Sequence, residues 1–291
     1  HKLGPVHAVL KVKDQIDLQK PTIINYADFT CDWDFKDFCR SVEKSESWIS
    51  KFDGIISNSA AEAAEGCDIV FMCVGNDKDV DEVVRGEKGI MSTIPEKSII
   101  VDHTTASAEI ARNYYQKLKD KKLSFLDAPV SGGQAGAENG VLSIMIGGDE
   151  KDYNTVRPVL TSYGKAVELI GPSGSGQIAK MINQICIAGL VQGLSEAMAF
   201  GKKSNVDMEK VLSVISKGAA QSWQMENRYR TMLDGKFDYG FAVDWMRKDL
   251  SICFNEASKN GAILPVTKIV DKYYEEVQKN GGNRFDTSSL M

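Results

Sequence analysis

The feature that most restricts how this chain can fold is Gly171-Pro-Ser-Gly-Ser-Gly-Gln-Ile-Ala-Lys-Met-Ile-Asn183, a glycine-punctuated turn that opens onto a long apolar run. From Gln177 to Lys202 apolar residues recur at helical spacing with no proline, so the turn launches one long helix. Gly171, Gly174 and Gly176 are expected to supply positive φ and close backbone approach. Before this turn, short β-branched runs alternate with helical stretches; after it, the chain reads as helix throughout. The pattern predicts a Rossmann-type α/β domain over residues 1–170 and an all-α domain over 171–291, built on the long helix. Lys180 and Asn183 stand three apart and share one face of that helix. A lysine can move a proton, and an amide beside it can orient a carbonyl or hydroxyl substrate. The spacing alone also fits a solvated lysine on an amphipathic helix.

In the α/β half, Cys67–Val74 is an apolar, β-branched run that suits a buried parallel strand. It ends in Val74-Gly75-Asn76-Asp77, with Asp79 just beyond, where an open α/β sheet places its ligand-contacting loops. Ser98–Asp102 is the next strand and ends in His103-Thr104-Thr105 before a helix over 108–121. Leu123–Asp127 then delivers Ala128-Pro-Val-Ser-Gly-Gly133. A serine followed by two glycines exposes a hydroxyl and consecutive backbone N–H groups, a carboxylate site that needs no lysine. Val141–Ile146, a helix over 150–163 and Ala166–Ile170 complete the domain. Further on, Asn205-Val-Asp207 caps a helix that Gly218-Ala-Ala220 breaks, Pro265 sits in the first turn of the last helix, and the tail after Gly281 reads as frayed.

Asp127-Ala-Pro-Val-Ser-Gly-Gly133 together with Gly174-x-Gly176-x-x-x-Lys180-x-x-Asn183 resembles the β-hydroxyacid dehydrogenases, the family of 3-hydroxyisobutyrate dehydrogenase. The resemblance runs from about Arg40 to the C-terminus. It implies hydride transfer between a nicotinamide cofactor and a small β-hydroxyacid or its semialdehyde, with glyoxylate and succinic semialdehyde reductases as the neighbouring branch. It implies Lys180 and Asn183 as catalytic residues, and Ser131, Gly132, Gly133, Phe241 and Asp249 as substrate contacts. Val74, Gly75, Asp79, Thr105 and Lys248 are implied as cofactor contacts, Thr105 being open to a second reading as a helix cap. Phe241, Lys248 and Asp249 are expected together on one helix. Phe38-Cys-Arg-Ser41 is similar to the end of the family's second strand, where Arg40 and Ser41 would accept a 2′-phosphate, pointing to NADP over NAD; Arg40 also fits a plain exposed charge. The first 39 residues depart from the family. No glycine lies between Gly4 and Gly54, so the G-x-G-x-x-G turn that brings backbone N–H groups to a pyrophosphate is missing, although His7–Val12 and Thr22–Asn25 read as strands. A member of the family that keeps the fold as a non-catalytic scaffold is the alternative this departure raises.

With 291 residues, 43% hydrophobic, the chain is long enough for two cores. A formal net charge of −5 offers no basic field, so nucleic acid is not an expected partner; a small carboxylate substrate and a homodimer or homotetramer are. Six cysteines without C-x-x-C spacing read as reduced, buried thiols, and three histidines without shared spacing predict no metal. Polar residues interrupt every long apolar run and no charged-then-apolar leader follows His1, so no membrane span and a cytoplasmic location are expected.

Overall fold

The computed structural model describes Thr22–Ile24, Ser50 and residues 56–291. The expected strand over 7–12, and Arg40 and Ser41, lie outside the described residues.

The chain forms two compact units, residues 1–180 and 181–291. The division falls ten residues beyond the expected break at 170/171, because the first turn of the long helix is hydrogen-bonded into the first unit.

Among the described residues of the first unit a seven-stranded sheet comprises β1 (Thr22–Ile24), β2 (Ile69–Met72), β3 (Ile99–Asp102), β4 (Ser124–Asp127), β5 (Val130–Ser131), β6 (Leu142–Gly147) and β7 (Gly164–Gly171). β1 to β4 are parallel neighbours in sequence order, with Thr22 opposite Ile69, Met72 opposite Asp102 and Asp102 opposite Asp127. β4 and β5 both pair antiparallel with β6, whose other edge carries β7 in parallel. Helices α1 (Ala60–Ala64), α2 (Asp77–Arg85), α3 (Ala108–Lys119), α4 (Gly133–Glu138) and α5 (Glu150–Leu160) connect the strands. Alternation along the strands fills both faces of the sheet. Phe71, Val101, Leu126 and Ile146 pack with Val156 and Leu160 of α5, while Val70, Met72, Ile100 and Phe125 pack with Val80 and Val84 of α2 and Tyr114 and Leu118 of α3. The short apolar runs of the sequence have no polar face for this reason. α2 and α3 start on side-chain caps, Asn76 accepting from the amides of Lys78 and Asp79, and Ser107 accepting from Ile110.

The long helix α6 spans Ser175–Lys203. Among the described residues it is the one helix long and apolar enough to cross a membrane by length and composition. In the second unit it is the core helix: Ala188 packs with Val243, Met246, Leu250, Val270 and Tyr274, and Leu194 and Met198 pack with Met208, Leu212, Met225 and Met232. The partners come from α7 (Met208–Ile215), α8 (Trp223–Leu233), α9 (Val243–Asn260) and α10 (Pro265–Lys279). The tail after Gly281 is packed, contrary to the expectation of fraying. Asp286 and Ser288 are buried, and the Asp286 carboxylate accepts from the Phe241 and Ser288 amides beside Arg228. Of the four described cysteines, Cys67, Cys73 and Cys253 are buried as expected and Cys186 is exposed.

Candidate active site

The substrate loop and the start of α6 are joined by one buried carboxylate. Asp127, at the C-terminal end of β4, accepts from the Gly174 amide through Oδ1 at 2.7 Å and from the Gln177 amide through Oδ2 at 3.0 Å, capping the helix that carries Lys180. Burial pushes the Asp127 carboxyl upward in pKa, opposed by the amides of Gly174 and Gln177. Two glycines make room for it. A Cβ on Gly147 would lie 2.6 Å from Asp127 Oδ1, and one on Gly176 would lie 2.4 Å from the Met145 carbonyl and 2.6 Å from that of Asp127. Of the three glycines expected to take positive φ in the turn, only Gly174 does, at +90°. Gly176 is there for space, and Gly171 ends β7.

Lys180 therefore sits one turn into a helix whose start is pinned to β4. Its side chain is 7% exposed, and Nζ donates to the Val130 carbonyl at 2.8 Å, next to Ser131. Ser131 is paired in β5 opposite Ser143, and Gly132 and Gly133 follow, both exposed and at φ +137° and +60°. The structure thus sets Lys180 against Val130, fifty residues back in sequence and directly before Ser131, Gly132 and Gly133.

The loops after β2 and β3 are cross-braced. The Val74 amide donates to Thr104 Oγ1 at 2.9 Å, and the Thr104 amide donates to Asp102 Oδ1 at 2.9 Å. The Gly75 amide donates to Asp79 Oδ2 at 3.1 Å, and the Ser107 amide and hydroxyl donate to the Asp77 carboxylate. Ser107 is the helix cap, so Thr105, half-buried, is not needed for that purpose. Val74, Gly75 and Thr105, with Asp79 in the first turn of α2, accordingly stand at the C-terminal edge of adjacent parallel strands, where an open sheet binds its ligands.

Two groups in this region escaped the sequence reading. Gln177, fully buried, donates through Nε2 to the Thr104 carbonyl at 2.7 Å and accepts through Oε1 from the Ala106 amide at 3.0 Å, tying the loop of Thr105 to the turn before Lys180. His103 is wedged between the Ala128 carbonyl (2.6 Å from Nδ1) and the Tyr163 hydroxyl (2.9 Å from Nε2). A carbonyl only accepts, so Nδ1 carries the proton and Nε2 accepts from Tyr163. Burial lowers the imidazole to about 4, against the pull of the Ala128 carbonyl, so His103 is a neutral structural bridge. Asp102 moves the other way, to about 7, chiefly through desolvation, with Thr104 opposing and the Asp127 and Asp77 charges adding.

In the second unit, the remaining predicted residues cluster around a buried glutamine. Asn183 Nδ2 donates to Gln184 Oε1 at 2.7 Å, and Gln184 Nε2 donates to Asp249 Oδ2 at 2.7 Å. Asp249 is 1% exposed, and Lys248 Nζ stands 3.1 Å from its Oδ1 as an ion pair, a charge contact and not an aligned hydrogen bond. Lys248 also lies over the Trp245 ring. Phe241 precedes α9, in place of sharing its helix with Lys248 and Asp249, and is partly buried against Ala188 and its neighbours.

The fold and these motifs define a nucleotide-binding oxidoreductase. Residues 32–171 match the family model for the NAD binding domain of 6-phosphogluconate dehydrogenase, and residues 174–291 match that for the NAD-binding region of NADP-dependent 3-hydroxyisobutyrate dehydrogenase. The chain is 55% identical over 252 residues to an uncharacterized oxidoreductase of Shewanella frigidimarina, covering 87% of each. It is 36% identical over 255 residues to the probable 3-hydroxyisobutyrate dehydrogenase-like 1 of Arabidopsis thaliana (87% of this chain, 76% of the relative), and 33% identical over 233 residues to 2-hydroxy-3-oxopropionate reductase of Escherichia coli (80% of each). A crystal structure of 3-hydroxyisobutyrate dehydrogenase from Salmonella typhimurium superimposes with a TM-score of 0.71 at 28% identity, over 80% of this chain and 81% of that one. The chain belongs to the 3-hydroxyisobutyrate dehydrogenase-like family of NAD(P)-binding oxidoreductases.

Proposed function

We propose that this chain interconverts a small β-hydroxyacid and its semialdehyde, with NADP as the preferred cofactor. The observation that carries the reading is Lys180, almost buried and hydrogen-bonded to the carbonyl beside Ser131, so that a proton-moving group and a carboxylate-holding loop belong to one rigid assembly. When bound, the nicotinamide accepts or supplies the hydride at the carbinol carbon. Lys180 takes the proton from the substrate hydroxyl in oxidation and returns it to the carbonyl oxygen in reduction. A free lysine titrates near 10.4, so acting as a base at neutrality requires desolvation around substrate, whereas acting as an acid does not. Ser131 and the Gly132 and Gly133 amides hold the carboxylate, and Asn183 orients the substrate oxygen.

The cofactor fits the described residues in part. The braced loops of Val74, Gly75 and Thr105 end adjacent parallel strands, with Asp79 fixing the Gly75 amide, and are suited to ribose and nicotinamide. Lys248 and Arg40 would add charge contacts, Arg40 and Ser41 with the 2′-phosphate. Against this stands the absence of any glycine between Gly4 and Gly54, which favours a second reading in which the cofactor is held weakly and the chain acts as a scaffold. Supporting a homodimer or homotetramer are Ile263, Val266, Ile269 and Tyr273, apolar and exposed along the start and one side of α10.

The test is calorimetric titration with NADP and NAD, followed by turnover assays with 3-hydroxyisobutyrate, tartronate semialdehyde, succinic semialdehyde and glyoxylate. Turnover of any of these, lost in Lys180→Ala, supports the enzyme. Reduction confined to the last two would move the chain to the glyoxylate and succinic semialdehyde branch, and no turnover with any would favour the scaffold.

A further inference from the structure

We propose that Gln177 is a positioning residue for the cofactor: its side-chain amide sets the direction of the Thr105 side chain, and does so from the helical turn that carries Lys180. The inference rests on Thr105 meeting the cofactor in the function proposed above.

Thr105 stands between two peptide groups, and Gln177 holds both. The Thr104 carbonyl belongs to the peptide before Thr105 and accepts from Gln177 Nε2 at 2.7 Å. The Ala106 N–H belongs to the peptide after it and donates to Gln177 Oε1 at 3.0 Å. Two planar peptide groups joined at one Cα leave only φ and ψ to vary. Holding both planes therefore fixes φ and ψ of Thr105, and with them the direction of its Cα–Cβ bond. A residue in a parallel sheet is held by its neighbour in the same pattern, through the carbonyl before it and the N–H after it. Here a side-chain amide takes the place of the neighbouring strand, beyond the point where β3 ends at Asp102.

The arrangement has one polarity. A carbonyl only accepts and a backbone N–H only donates, so the Gln177 amide cannot be turned over. Water offers no substitute, because Thr104, Ala106 and Gln177 are at most 1% exposed and an unmade bond would leave a buried polar group without a partner. The stretch on either side is braced by other groups, the Thr104 amide by Asp102 and the Ser107 amide by Asp77, and the two groups that flank Thr105 by Gln177.

Gln177 is itself a fixed point. Its backbone amide donates to Asp127 Oδ2 at 3.0 Å, and Lys180 follows three residues on, a neighbour on the helix surface. The loop that meets the cofactor and the ammonium that moves the substrate proton are thereby referred to one turn of one helix. A methionine at position 177 keeps the length of the side chain and removes both of its bonds. The Thr105 peptides are then released, while the Asp127 cap, made through the backbone, remains.

Calorimetric titration of NADP into wild type, Gln177→Met, Thr105→Ala and the double variant tests the proposal. Each single variant is expected to raise Kd about tenfold. The double variant is also expected to raise it about tenfold, because Gln177 acts through Thr105 and has nothing left to position once that side chain is gone. An unchanged Kd in either single variant overturns the proposal, as does a rise of about a hundredfold in the double variant, the additive result of a general loosening of the fold. If Gln177→Met does not fold, as circular dichroism would show, Gln177→Asn takes its place in the cycle with the same expected and overturning results, its amide being one methylene too short to meet both groups. The clamp is also read without cofactor or turnover, by amide hydrogen exchange followed by NMR. The Ala106 N–H should exchange at least about tenfold faster in Gln177→Met than in wild type, with the amides of β3 unchanged. Unchanged exchange at Ala106 overturns the proposal. Faster exchange at Ala106 in a chain whose wild type binds neither NADP nor NAD upholds the clamp on Thr105 and refutes the cofactor reading alone.

Discussion

Asp102 offers a direct test of how the β3 loop is built. Its carboxyl is fully buried, its Oδ1 accepts the Thr104 amide, and burial moves its titration from 3.8 in an open chain to about 7. Below pH 3.8 both the folded and unfolded forms hold the proton. As pH rises from there the unfolded chain releases it first, the folded chain retains it, and stability falls until the folded group also ionises near 7. At about 1.4 kcal/mol per pH unit over the interval from 3.8 to 7, this single group removes on the order of 4 kcal/mol. Asp102→Asn keeps an acceptor oxygen for Thr104 and does not ionise. Its stability should therefore be flatter between pH 4 and 7, with Asp127, raised by the same cause, leaving a residual slope in both proteins. Urea unfolding of wild type and variant at several pH values, followed by tryptophan fluorescence, gives the two curves. Curves that stay parallel from pH 4.5 to 8 would show that Asp102 does not carry a perturbed proton and that solvent reaches the base of the loop.

Lys180→Ala is expected to lower kcat by about 10² to 10⁴ with little change in NADP affinity, since the ammonium acts on the substrate proton; steady-state kinetics beside calorimetry would show it. Ser131→Ala should raise KM for the carboxylate substrate more than it lowers kcat, because an anchoring hydrogen bond acts in ground and transition states alike. Asp127→Ala, which strands the Gly174 and Gln177 amides, should cost about 2 to 5 kcal/mol in denaturant unfolding and lower kcat through the loosened start of α6. Dissociation constants for NADP and NAD are expected to favour NADP, and this preference should vanish in Arg40→Glu.

The strands and the long helix were readable because burial on both faces of the sheet leaves uninterrupted β-branched runs, and because no proline interrupts Gln177–Lys202. What the residues alone left hidden was long-range pairing. Gln177 and Gln184 look like the polar side of an amphipathic helix, yet their partners Thr104 and Asp249 lie 73 and 65 residues away. Asp286 gave no local sign of burial for the same reason, its acceptor role toward Phe241 spanning 45 residues. The expectation for Gly176 joins positive φ with close backbone approach, and its use is the second, the missing methyl. A glycine's letter does not distinguish the two, and only the carbonyls of Met145 and Asp127 decide between them.

The enclosure of Asp127 has a consequence for anyone who would move this chemistry to another scaffold. The loop from Ala128 to Gly133 looks like a portable cassette, but its root does not travel alone. Asp127 fits only where positions equivalent to Gly147 and Gly176 carry no side chain, so a graft of the loop must import three points of the chain together. Libraries that diversify the loop can begin at Ala128, whereas an alanine at Gly147 or Gly176, the mildest change a mutagenesis scheme usually makes, would press a methyl group against the Asp127 carboxylate or against two carbonyl oxygens and displace the turn on which Lys180 stands.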